Sequence, residues 1–157
     1  MNEKRKRQKG FTLVELIVSF TILALLTSMA VPLAAYKVRR DKERELRYAL
    51  QEIHHAIDAY KDASLSGKLG PEKLGSDGYP ESLEILVEGV KLAQSADGKK
   101  IKFLRRIPKD PITGLYDWGK RSTQDDPKSL SWGGQNVFSV YTKSMERARD
   151  GTPYNEW

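Results

Sequence analysis

Between Glu15 and Lys37 the chain runs for twenty-one residues without a charge. Leu, Ile, Val, Ala and Phe dominate that run, with a few Ser and Thr. About 18 or more apolar residues suffice to cross a bilayer as a helix, and soluble cores rarely call for a stretch that long. Just before it stands a dense basic cluster, Lys4-Arg5-Lys6-Arg7-Gln8-Lys9, followed by Gly10. Glu15 lies at the start of the apolar run, five residues past that glycine. A carboxylate in hydrocarbon costs roughly 2.5–3.5 kcal/mol on insertion scales, so such a residue is kept for a task. The alternative is a position close enough to the interface to stay wet, since Glu15 is only one helical turn, about 6 Å, past Phe11.

The charge balance follows the same division. Residues 1–10 hold five basic side chains and one acid, four of the net six positive charges of the chain. Positive residues stay on the cytoplasmic side of a first membrane helix, which accounts for the basic excess better than a nucleic-acid surface does. At 157 residues, one domain plus one spanning helix is the expected count. No small-residue cleavage site follows the apolar run, which continues into Tyr36-Lys37-Val38-Arg39-Arg40, so the run is retained in the mature protein. There are no cysteines, hence no disulfide, thiolate nucleophile or Cys-ligated metal. A domain outside the cytoplasm must then fix its loops by other means.

The basic leader, the string Gly10-Phe11-Thr12-Leu13-Val14-Glu15-Leu16 and Pro32 near the end of the apolar run together resemble the opening of type IV pilin-like proteins. The resemblance implies that a prepilin peptidase cuts between Gly10 and Phe11 and that the new terminus, Phe11, is N-methylated. It further implies that Glu15 pairs with the freed amine of Phe11 on a neighbouring subunit, which offsets the burial of both charges and sets the axial register of a filament. Gly10 suits a cleavage site because a residue without a side chain lets a protease approach the backbone. Pro32 removes one backbone hydrogen bond and is expected to kink or locally melt the helix. Within a membrane such a break is tolerated when neighbours re-satisfy the backbone.

Past Tyr36 the pattern becomes amphipathic. Leu46, Leu50, Ile53, Ile57 and Tyr60 recur at helical spacing, Ala49, Ala56 and Ala63 widen the stripe, and mixed charges fill the other sides. No Gly or Pro intervenes after Pro32 until Gly67, so one helix is expected from about Phe11 to about Ser64, some 54 residues or about 80 Å at 1.5 Å each. A globular part must cover its stripe. Residues 66–79 carry four glycines and Pro71 and form a loop. Tyr79 to Gly89 predicts a short helix with Pro80 in its first turn, Leu83, Leu86 and Val87 on its apolar face, and Gly89 as its stop. A polar connector runs on to Lys100. Leu115–Ser122 and Asn136–Thr142 have strand content, and Asp125-Asp126-Pro127 and Ser131-Trp132-Gly133-Gly134 are turns. Tyr79-Pro80, Pro108-Lys109-Asp110-Pro111 and Trp118-Gly119 resemble segments of the major pseudopilins of type II secretion, with Trp-Gly displaced a few residues. The prolines around Lys109-Asp110 force extended backbone, and Asp110 can cap its own turn, a structural role.

Little chemistry is on offer. His54 and His55 point about 100° apart on a helix and cannot share an ion, so packing or solvation explains them. The sequence has no GxSxG, HExxH or phosphate-binding glycine loop, and no enzyme is expected. The resemblance implies a calcium ion in the closing loop, for which Asp125, Asp126 and Asp150 are the candidate ligands, with Asn155 and Glu156 behind them, against plain turn roles for Asp125 and Asp150.

The expected fold is therefore α+β and pilin-like: a long N-terminal helix, transmembrane in its first half and amphipathic in its second, packed on a small C-terminal domain with a short helix and a small antiparallel sheet. The expected segments are a cleaved leader (1–10), a transmembrane half (11–36), an amphipathic half (37–65) and a periplasmic globular part (66–157). The function implied is a structural subunit of a periplasmic pseudopilus that drives protein export. Its implied partners are copies of itself, the prepilin peptidase, the inner-membrane secretion platform and the minor pseudopilins, with no nucleic acid. The implied location is the bacterial inner membrane, in a single pass with the N-terminus cytoplasmic. The alternatives are a type IV pilin for adhesion, motility or DNA uptake, which the missing cysteines disfavour, and a membrane-anchored module that never polymerises. A secreted enzyme with an uncleaved signal lacks an active-site constellation.

Overall fold

The computed structural model describes residues 10–93 and 98–157; the basic cluster of the leader lies outside them. The elements, in order, are α1 (Leu13–Leu65), α2 (Leu83–Glu88), β1 (Val90–Lys91), β2 (Lys100–Ile101), β3 (Trp118–Arg121), β4 (Ser139–Thr142) and a closing 3-10 turn (Tyr154–Glu156). The architecture is the expected α+β one, a long N-terminal helix followed by a small domain. The chain divides into two units, Met1–Arg40 and Asp41–Trp157.

Helix α1 starts and stops for local reasons. The Thr12 hydroxyl accepts the Glu15 backbone N–H at 3.2 Å, an N-cap that satisfies one otherwise orphaned donor. At the other end Gly67 takes a left-handed conformation, φ 70°. Its N–H donates to the Ser64 carbonyl and the Lys68 N–H to the Ala63 carbonyl, the paired bonds of a Schellman stop. In the first unit every described side chain of the helix is exposed. One helix among the described residues is long and apolar enough to cross a membrane, and this is it.

In the second unit the predicted stripe is the floor of the core. Leu46, Ile53 and Ile57 are wholly buried, with Ala49, Leu50 and Ala56 close behind. Leu83 and Leu86 of α2, Leu104, Trp118 of β3, Val137, Val140 of β4, Ala148 and Tyr154 pack into the same cluster. Full burial of one such aliphatic side chain contributes about 1.5–3 kcal/mol, so the stripe is a main source of the attraction between this length of helix and the domain. The Pro-Lys-Asp-Pro segment is structural, as its prolines suggest. Asp110 is fully buried and accepts the Thr142 hydroxyl at 2.5 Å, the Thr113 hydroxyl at 2.9 Å and the Ile112 N–H at 2.9 Å. Beside it the Trp118 indole donates to the Pro108 carbonyl at 2.9 Å.

Several boundaries depart from expectation. Helix α2 begins at Leu83, not in a turn containing Pro80, because Ser82 is extended at φ −152° and serves as the N-cap. The Pro80 carbonyl is taken by the Val137 N–H instead. Gly89 does end α2, with φ 82°, and a Cβ there would stand 2.7 Å from the Ile101 carbonyl oxygen, so the position tolerates no side chain. The polar connector holds a two-residue antiparallel ladder, Val90 opposite Ile101 and Lys91 opposite Lys100, that no periodicity announces. Both expected strands are real but shorter. Leu115 and Tyr116 are exposed ahead of β3, and Val137 and Phe138 bond outside the β3–β4 ladder before β4 starts. The result is two separate two-stranded antiparallel sheets.

Candidate processing and assembly site

The residues singled out at the head of the chain fall together on the first turn of α1 and the three residues before it. Gly10 is exposed, and among the described residues nothing lies within 4 Å of where a Cβ would be. Packing therefore does not require glycine there. Phe11 is 76% exposed and stands just outside the helix. Glu15 follows one turn later, its backbone fixed by the Thr12 cap, its side chain exposed beside Leu13, Val14 and Leu16. Among the described residues the Glu15 carboxylate has no ion-pair partner. The spacing Thr12-Leu13-Val14-Glu15 matches the T-x-x-E signature of a capped helix start. That signal was legible, and Thr12 is the one residue of this site that the reading of the sequence passes over.

Further along, the hydroxyls of the apolar half turn back onto their own helix. Thr21 donates to the Ile17 carbonyl at 2.7 Å, Thr27 to Leu23 at 2.8 Å and Ser28 to Leu25 at 2.8 Å. None of these three needs water. Pro32 sits inside α1, which is helical on both sides of it. Having no N–H, it leaves the Ser28 carbonyl four residues back without its donor.

The closing loops do not bring the candidate calcium ligands to one point. Asp125 accepts the Ser122 N–H at 2.7 Å and the Gly133 N–H at 3.1 Å, and these backbone bonds hold its carboxyl below the usual range. Asp126 caps the Lys128 N–H at 2.8 Å. Asp150 accepts the Thr152 hydroxyl at 2.6 Å and the Thr152 N–H at 2.9 Å, which lower its pKa in the same way. Calcium asks for six to eight oxygens around one centre. Among the described residues no group of three or more His, Cys, Asp or Glu side chains could hold a metal. Two buried oxygens, Ser122 Oγ and Asn155 Oδ1, lack a donor. However, the Arg121 guanidinium already bonds the Asn155 carbonyl, at 3.3 Å, and its charge opposes a dication at that residue. The residues present do not fit a calcium ion.

His54 has a role that its neighbour does not share. Its Nε2 accepts the Val140 N–H at 3.2 Å and stands 3.2 Å from the Ser139 hydroxyl, which ties α1 to β4. Accepting an N–H requires an unprotonated Nε2, and burial lowers the pKa of the ring, partly opposed by the Asp58 carboxylate. His55 is exposed. Neither is part of a metal group.

Residues 5–31 match the model of the prokaryotic N-terminal methylation motif. The chain is 32% identical to the type II secretion system core protein G of Escherichia coli K12 over 149 residues, covering 81% of this chain and 92% of that protein. It is 28% identical to the Vibrio cholerae protein of the same name, over 95% of this chain and 88% of the relative. The Pectobacterium carotovorum counterpart is 32% identical over 92% of this chain and 82% of its own length. No solved structure matches the chain. An exposed apolar helix opened by a methylation motif, a second half whose stripe is covered, and similarity over most of each chain to these relatives place the chain in the type II secretion system core protein G family.

Proposed function

We propose that this protein is the pseudopilus subunit of a type II secretion system, made as a precursor and cut by a prepilin peptidase between Gly10 and Phe11. The observation that carries the reading is Glu15, a carboxylate held exposed on an apolar helical surface one turn from Phe11, in a chain that matches the methylation motif from residue 5 to residue 31. Cleavage would turn Phe11 into an ammonium terminus, which methylation leaves charged. Inside the bilayer neither charge is stable alone, and helices there gain nothing from hydrophobic association. An ammonium of one subunit seated on Glu15 of the next offsets both desolvation costs and fixes how far one helix is staggered along the other. Removing one member of a buried pair costs about 3–5 kcal/mol, because the other stays buried and unpaired. The free backbone at Gly10 suits a protease that must take hold of the main chain.

In this reading the apolar half of α1 anchors the subunit in the inner membrane, N-terminus in the cytoplasm, with the second unit in the periplasm. Subunits feed from the inner-membrane platform onto a tip of minor pseudopilins, and growth of the helical filament pushes folded cargo outward. The chain itself performs no chemistry and is the substrate of the peptidase. The N-terminal residue and mass of the mature protein test the first step, and a mature chain that still begins upstream of Phe11 refutes it. Glu15→Ala tests the second: filaments and export are lost while the precursor is still cut. Normal fibres with unchanged stagger would overturn the pairing.

A further inference from the structure

The closing loops of a cysteine-free domain need a fastener, and the acids proposed for a metal are spent on backbone amides. We infer that Arg121 is that fastener, a cation supplied by the chain that clamps the β3–β4 connection to the C-terminal turn and leaves the domain independent of calcium. Arg121 is only 9% exposed. Its Nε donates to the Ser129 carbonyl at 2.8 Å and one terminal nitrogen donates to the Asn155 carbonyl at 3.3 Å. Those carbonyls belong to two loops separated by the whole of β4. Its Cζ lies 4.0 Å from the centroid of the Tyr141 ring, and the Tyr141 hydroxyl donates in turn to the Leu130 carbonyl at 2.9 Å, next to Ser129. Gly119 makes room for that ring: a Cβ there would stand 2.3 Å from it. Among the described residues no carboxylate forms a salt bridge with Arg121.

A buried positive charge without an acid is costly unless other groups replace its water. Here two carbonyl dipoles and the face of an aromatic ring do so. Gathering main-chain oxygens from separate loops around a positive centre is also what a structural metal ion does. A guanidinium suits the task because its planar fork reaches in fixed directions, which a lysine ammonium cannot copy. Being covalently part of β3, it cannot be chelated away.

The test uses the full chain in detergent, melted with calcium in excess and with a chelator. The expected result is one melting temperature in both conditions, and a higher value with calcium would overturn the inference. Arg121→Gln and Arg121→Lys then locate the clamp by amide hydrogen exchange. In both variants the amides of residues 129–133 and 154–157 should exchange faster together, by about tenfold or more for Gln, as expected from the loss of one charged hydrogen bond. The amides of α1 around Ile53 should hardly change. Faster exchange in only one of the two loops, or protection of them by calcium in the unaltered chain, would refute the role. Should the Gln variant fail to fold, the wild-type melting comparison still decides.

Discussion

The two halves of α1 are one helix by backbone and two different objects by surface. Up to Arg40 every described side chain faces outward, apolar ones included: Phe20 is 75% exposed and Ile22 53%. From Asp41 the apolar positions retreat to a stripe, and Ile53 is not exposed at all. The first half therefore carries its apolar atoms for an environment outside the chain, the second for a domain the chain itself supplies. Apolar content alone does not separate the two halves; its angular distribution does, since a helix that is greasy all round needs a greasy solvent while a helix with one greasy face needs one partner.

Paired substitutions give the hardest test of that contrast. Ile53→Ala should cost about 2–5 kcal/mol and lower the melting temperature of the full chain in detergent clearly, whereas Ile22→Ala should cost less than about 0.5 kcal/mol and leave that temperature nearly unchanged. Equal losses would break the comparison. A smaller effect sharpens it at the start of the helix. Thr12→Ala removes the cap and should weaken the first turn by about 1 kcal/mol, visible as faster amide exchange at residues 13–16 with the melting temperature of the second unit unchanged. A drop in melting temperature of the same size would mean that the two halves share one cooperative fate.

The smallest effect is expected from acid. The folded-state pKa of His54 is lowered from 6.5, first by burial and against the pull of Asp58. The stability it contributes is therefore complete above pH 6.5 and is lost as the pH falls through the lower folded value. Melting the chain on either side of that pH should show a loss that is absent in His54→Gln, whose amide oxygen can accept the Val140 N–H without titrating. Identical pH profiles would remove His54 from the account. The first half of the helix offers no counterpart, since no titratable side chain lies between Glu15 and Tyr36.

What could be read from the sequence follows the same contrast. The apolar run and the stripe from Leu46 to Ile57 were legible because periodicity is a property of one stretch of chain. Gly10, Phe11 and Glu15 were legible as a motif, and Asp110 as a cap between two prolines. The β1–β2 ladder was not, because two residues per strand carry no alternation. The start of α2 was misplaced because Pro80 suits a first helical turn, while the structure spends its carbonyl on Val137, fifty-seven residues away in sequence. The role of Arg121 and the partners of His54 escaped for the same reason: they are defined by carbonyls on remote loops or by a remote strand, and nothing in the neighbouring sequence announces them.

The covering of the stripe carries a consequence for timing. Val137, Val140, Ala148 and Tyr154 complete the core around Leu46 and Ile53, and Trp157 lies 4.3 Å under the Arg47 guanidinium. During synthesis the ribosome delivers the anchor well before these residues. For most of translation the amphipathic half must wait, tethered and uncovered, and exposed surface of that kind is where aggregation begins. Maturation of this protein is thus a race between delivery of its tail and capture of its midsection.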